Sequence, residues 1–102
     1  MSRATRHRWD ELDLEKITDM VACKAIATGQ RTLTQAYFKK GAMVPRHAHA
    51  EDRIIYVLQG ALQLKVDGGR EEVVREGDVM VLPGGAVHEA ESLDDTFVLT
   101  VA

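Results

Sequence analysis

A chain of 102 residues, 45% hydrophobic and 28% charged, has room for one domain around one core. Its net charge of −3 and thirteen scattered Lys and Arg residues argue against a nucleic-acid partner. No uncharged run much exceeds about ten residues, against the roughly 20 of a membrane helix, so no membrane association is expected.

In chain order, residues 1–16, "MSRATRHRWDELDLEK", are polar, lack the apolar segment of a signal peptide, and are expected to form an N-terminal arm. A cytoplasmic location is the default expectation. "WDELDLEK" allows one weak helical turn. Trp9 is expected to pack on the body or on a second subunit, and His7 to face solvent. Residues 17–102 are expected to form the domain proper. Cys23, the single cysteine, excludes an intrachain disulfide; in "MVACKAIA" it reads as a buried, unreactive thiol.

From there the chain is a series of short apolar runs separated by turns: "MVACKAIA", "TLTQAYFK", "RIIYVLQ", "ALQLKV", "EEVVR", "VMVL", "AVHEAE" and "TFVLTVA". "ALQLKV" alternates, with Leu62, Leu64 and Val66 on one face and Gln63 and Lys65 on the other. "DGG" at 67–69 is a hairpin signal. Short strands at regular spacing, with no sustained helical period, predict an all-β barrel or sandwich. Apolar outer strands on so small a barrel favour a homodimer that covers them. Tyr37 and Tyr56 are expected in sheet packing or that interface.

Three histidines carry the chemistry. His47 and His49 stand at i and i+2, so on one strand both project from the same face, about 7 Å apart at Cα. His88 follows "PGGA" in a later strand, from which a third imidazole can reach the same point. The glycines and proline around them form two halves of a pattern. Gly41, His47, His49 and Gly60 make one half, in "GAMVPRHAH…G"; Gly77, Pro83, Gly85 and His88 make the other, in "GDVMVLPGGAVHEAES".

This paired pattern, over residues 41–92, resembles the signature of the cupin superfamily in its small, single-domain, RmlC-like form. The resemblance implies a single-domain cupin jelly-roll β-barrel of six to eight strands, with a metal in its mouth. It implies His47, His49 and His88 as metal ligands. The cofactor would be a divalent transition metal, and imidazole ligands suit Zn, Fe, Ni, Mn or Cu. The Glu or Gln ligand of the family's first motif falls on Arg53, and its closing Asn on Ser92.

By strand parity Arg53 should share the face of His47 and His49. A guanidinium about 4 Å from a cation costs roughly 4 kcal/mol per unit charge at an effective dielectric near 20. Glu51, of the same parity, can screen it or supply an oxygen ligand. Three readings stay open. Arg53 grips an anionic substrate beside the metal; Arg53 replaces the metal's charge in a metal-free pocket; or Arg53 turns outward into a surface ion pair.

The layout is most similar to the small cupins of pectin and uronate breakdown, which promote opening and ketonisation of unsaturated uronates. The resemblance therefore implies binding or conversion of a small anionic metabolite such as a sugar acid, with Arg53 and Glu51 in contact with it. The competing class is a non-catalytic binding or sensing cupin. No general base stands out beyond the histidines, because Glu51, Asp52 and Glu89 are equally well explained as surface charge.

Overall fold

Ten strands carry the chain in a computed structural model that describes residues 3–102. They are β1 (Glu15–Lys16), β2 (Val21–Ala27), β3 (Thr32–Phe38), β4 (Met43–His47), β5 (Arg53–Gln59), β6 (Ala61–Val66), β7 (Glu71–Arg75), β8 (Val79–Leu82), β9 (His88–Ser92) and β10 (Thr96–Val101). The helical turn expected near "WDELDLEK" is a single turn of 3-10 helix at Trp9–Glu11. The Lys24 ammonium donates to the Trp9 carbonyl at 2.7 Å, tying this turn to β2. The last residues of the arm, Glu15 and Lys16, add β1 to the edge of β2. Residues 1 and 2, also assigned to the arm, lie outside the described residues. No helix among the described residues is long and apolar enough to cross a membrane.

The strands form a six-stranded sheet in the order β1-β2-β3-β10-β5-β8 and a four-stranded sheet in the order β4-β9-β6-β7. All pairs are antiparallel. The pattern is the all-β jelly roll that the resemblance implied, with ten strands in place of six to eight because the short β1 and the split of the chain over two sheets add to the count. Alternation decides which side chains meet between the sheets. Leu62 and Leu64 of β6 point inward against Val57 of β5, Val98 of β10, Leu82 of β8 and Ala90 of β9, and all are buried. The hairpin expected at "DGG" joins β6 to β7, and Gly69 N–H donates to Val66 O at 3.0 Å.

The outer faces of the two sheets differ. On the small sheet, Gln63 lies opposite Glu91 and Lys65 opposite Glu89, a solvated polar surface. On the large sheet one cross-strand row runs Val81, Ile54, Val101, Leu33, Ile26 over five strands. Tyr37 and Phe97 stack beside it with ring centroids 4.6 Å apart.

Consecutive strands β5 and β6 belong to opposite sheets, so the chain must turn sharply at Gly60. Gly60 has φ +90, and a Cβ there would collide with the carbonyl oxygen of Asp95 and the hydroxyl of Thr96. That hydroxyl donates to Ala61 O at 3.1 Å and lies 3.2 Å from Ala61 N–H, and Ser92, buried beside it, bonds the same hydroxyl at 3.2 Å. Ser92 thus serves the turn, far from the barrel mouth. Gly60→Ala combines backbone strain with a backbone clash and should destabilise the fold by about 2–4 kcal/mol. Urea denaturation should show a lower midpoint with an unchanged slope.

Candidate metal centre

His47 is the last residue of β4 and His88 the first of β9, and the two are cross-strand partners on neighbouring strands. A register shift between Val44 and His47 re-aims the end of β4. His49 stands two residues past the strand end, in the segment 48–52 that carries the chain to β5 on the other sheet. The three rings converge, with centroids 4.3 Å apart for His47 and His88, 4.6 Å for His47 and His49, and 5.2 Å for His49 and His88. One ring nitrogen from each lies within 4.8 Å of the others.

Local backbone geometry sets which nitrogen faces the centre. Nδ1 of His47 lies 2.7 Å from Pro45 O, and Nδ1 of His88 lies 2.9 Å from Ala86 O. A carbonyl only accepts, so both Nδ1 atoms carry a proton, and the neutral tautomer this selects has its lone pair on Nε2. An acceptor behind each ring is the usual support of a metal-binding imidazole. Nε2 of His47 lies 3.0 Å from Nε2 of His49. Two nitrogens bound about 2.1 Å from one cation at roughly a right angle would be about that far apart. The donors therefore fit a transition metal in number, chemistry and spacing.

Arg53 faces the histidines, as strand parity predicts, but not because one strand carries them all. Strand parity treats residues 47–53 as one strand, whereas β4 ends at His47, residues 48–52 cross between sheets, and β5 begins at Arg53. His49 and Arg53 join the centre because this crossing is tied to the turn preceding His88. Gly85 N–H donates to His49 O at 2.7 Å, and Gly84 N–H donates to the Asp52 carboxylate at 2.7 Å. A Cβ on Gly84 would strike the carbonyl oxygen of Ala50. Asp52 and Gly84 are positioning residues that sequence reasoning missed. "PGG" signalled a turn but not what it would be tied to.

Arg53 lines the cavity that the histidines close at one end, a space of about 240 Å³. Its side chain is 27% exposed, and Nε is buried with no hydrogen-bond partner among the described residues. Glu51, 59% exposed, approaches the other end of the guanidinium at 3.8 Å and stays outside the group of converging nitrogens. Burial, then the Arg53 charge and the two other imidazoles, hold the His49 pKa below its ordinary value, with Glu51 opposing. His49 is thus neutral and able to ligate at neutral pH. The folded chain resists this proton and the unfolded chain does not, so this group's contribution weakens the fold as pH drops below about 6.5. Cys23 lines the same cavity, half-buried; burial and Glu15 push its thiol pKa up, as suits an unreactive group.

The family profile described as "Cupin domain" matches residues 35–101. Among solved structures, KdgF from Halomonas sp. is 26% identical, with a TM-score of 0.87 over 97% of this chain and 92% of that one. An RmlC-like cupin from Shewanella frigidimarina is 21% identical, with a TM-score of 0.87 over 97% and 89%. A predicted oxalate decarboxylase from Thermotoga maritima is 23% identical, with a TM-score of 0.81 over 95% and 96%. The last two likenesses speak for the fold alone. No curated protein matches the chain.

Substitution at the ligands and at their tie should separate two effects. His47→Ala should abolish tight zinc binding. Gly84→Ala, which displaces the His49 segment but removes no donor, should weaken it by about tenfold or more. Zinc titration against a chromophoric chelator, with circular dichroism to confirm folding, reads both.

Proposed function

This chain belongs to the cupin family, and on that premise we propose a cytoplasmic, two-subunit cupin. His47, His49 and His88 hold a divalent transition metal, and Arg53 takes the carboxylate of a small organic acid. The observation that carries this reading is the buried Arg53 Nε without a partner. An unsatisfied buried donor costs about 1–3 kcal/mol, more when charged. A carboxylate can accept from a guanidinium through both oxygens and remove that cost.

Charge balance points the same way. Three neutral imidazoles bring no negative charge to a dication, Arg53 adds a positive one, and only the half-exposed Glu51 opposes it. A small anion is the natural counter-charge. A bound cation would supply Lewis-acid polarisation of a carboxylate or carbonyl oxygen. The chain's own residues do the rest: Arg53 orients the acid, and Pro45 and Ala86 hold two imidazoles in the tautomer that ligates. The likeness to the cupins of uronate breakdown makes a uronate the first acid to try, with Glu51 at the rim beside it.

A second reading, an acid-binding or sensing protein without turnover, has its own support. The titratable side chains lining the cavity are the three histidines, Arg53 and Cys23, with no carboxylate among them. Apart from Arg53, which stays protonated, and the Cys23 thiol, whose pKa is pushed up, proton transfer would have to run through groups committed to the metal. Stabilisation by an acid that is not consumed favours this reading; turnover lost on metal removal favours an enzyme.

The apolar row on the large sheet is assigned to a second copy of the chain. Val79 and Val81 are 58% and 59% exposed, and Ile54, Tyr56 and Tyr37 are exposed beside them. This patch is on the order of 500 Å², at the upper end for a monomer. Doubled across a twofold axis it approaches the roughly 1,200 Å² of a stable interface. A self-complementary aliphatic face is what an isologous contact needs, whereas the outer face of the small sheet mixes Met43 and Val73 with charged residues.

Two outcomes are expected. Arg53→Gln should tighten zinc binding by at least about tenfold and abolish thermal stabilisation by organic acids. In light scattering, the protein should have twice the 11.3 kDa chain mass, and Ile54→Lys with Val81→Lys should return it to one chain; a monomeric parent would refute the interface.

A further inference from the structure

The cavity behind the metal centre distinguishes among acids. Beyond the histidines and Arg53, its walls are mostly inward-facing apolar side chains of both sheets, Ile55, Leu62, Leu64, Val44, Val98 and Phe38 among them. Its hydroxyls are those of Thr34 and Thr100, cross-strand partners on β3 and β10. His47, Arg53 and His88 stand at strand ends, Thr34 and Thr100 lie level with Ile55, and apart from these, His49 and the Cys23 thiol the cavity's wall is hydrocarbon. Its volume, about 240 Å³, is that of roughly eight water molecules, enough for a single ring or a short branched chain.

From this asymmetry we infer that the ligand is a monocarboxylate with a compact apolar body, its carboxylate at Arg53 and its hydrocarbon part among Ile55, Leu62 and Leu64. The inference rests on the reading of Arg53 as the anion's partner and adds what lies behind it. A hexuronate carries a hydroxyl on nearly every ring carbon. Two threonines cannot satisfy them all, and each hydroxyl buried without a partner costs about 1–3 kcal/mol. An alicyclic or aromatic ring of the same size pays no such penalty and gains about 25 cal/mol for each Å² of apolar surface removed from water. A site that places hydrocarbon against a polar analogue rejects it through these unpaired groups.

Matched acids test this directly. Cyclohexanecarboxylate and glucuronate share a six-membered ring and a carboxylate, and differ chiefly in ring oxygen and hydroxyls. Isothermal titration of the zinc-loaded protein should show cyclohexanecarboxylate binding at least tenfold tighter than glucuronate. Arg53→Gln should lose most of that affinity, and Val44→Thr, which puts a hydroxyl into the wall at constant shape, should weaken it severalfold. Glucuronate binding as tightly or more tightly would overturn the apolar-body inference while leaving Arg53 as an anion's partner. Failure of both acids to bind would overturn the reading of Arg53 itself, and this inference with it. An affinity for cyclohexanecarboxylate unchanged in Val44→Thr would place the acid outside the cavity and also overturn it.

Discussion

Two backbone N–H groups hold the centre together. Gly84 and Gly85, in the turn before His88, donate to Asp52 and to His49 O, on the segment that follows His47. Without that tie, His49 would be a residue in a connection between two sheets, free to point anywhere. With it, the ring reaches within 3.0 Å of His47, and Arg53 enters β5 facing the same space. The glycine at 84 is there because the opposing carbonyl of Ala50 leaves no room for a side chain. Positioning thus depends on main-chain hydrogen bonds between the two halves of the motif more than on the strands that carry the ligands.

The consequence is a site with surplus positive charge. The carbonyls of Pro45 and Ala86 take the Nδ1–H of two imidazoles and leave Nε2 toward the centre, and burial, then the Arg53 charge, hold the pKa of the third below its ordinary value. Replacing the family's Glu or Gln with Arg53 exchanges a potential oxygen ligand for a fixed cation with donors to spare. In the proposed reading, a metal held here would rely on three nitrogens, and the fourth interaction would pass to an anion recruited by Arg53. Metal and acid would then favour one another through their opposite charges, with Arg53 repelling the metal and attracting the acid.

Much of this was legible in the sequence. The alternation of "ALQLKV", the "DGG" hairpin and the spacing of Gly60 and Gly77 each become the expected strand or turn, because a period of two and a positive-φ glycine are local properties. The three histidines converge as the motif spacing implied. The route to that convergence was not legible. Residues 47–53 look like one alternating strand, but the chain leaves one sheet and enters the other between them, so face-counting across the gap has no structural meaning. Asp52 was indistinguishable from surface charge because its partner, Gly84, is 32 residues away. The apolar depth of the cavity was hidden for a similar reason. Leu62 and Leu64 read simply as one face of an alternating strand, and only the barrel shows that with Ile55 and Val98 they also wall a space.

What lies between the imidazoles and Arg53 decides whether the site binds both a metal and an acid. Anomalous X-ray diffraction from crystals of protein purified without chelators, grown with cyclohexanecarboxylate, examines both together. The account predicts an anomalous peak bonded to one nitrogen each of His47, His49 and His88, with the carboxylate accepting from the Arg53 guanidinium. A centre without any peak, with Arg53 turned out toward Glu51, would contradict it.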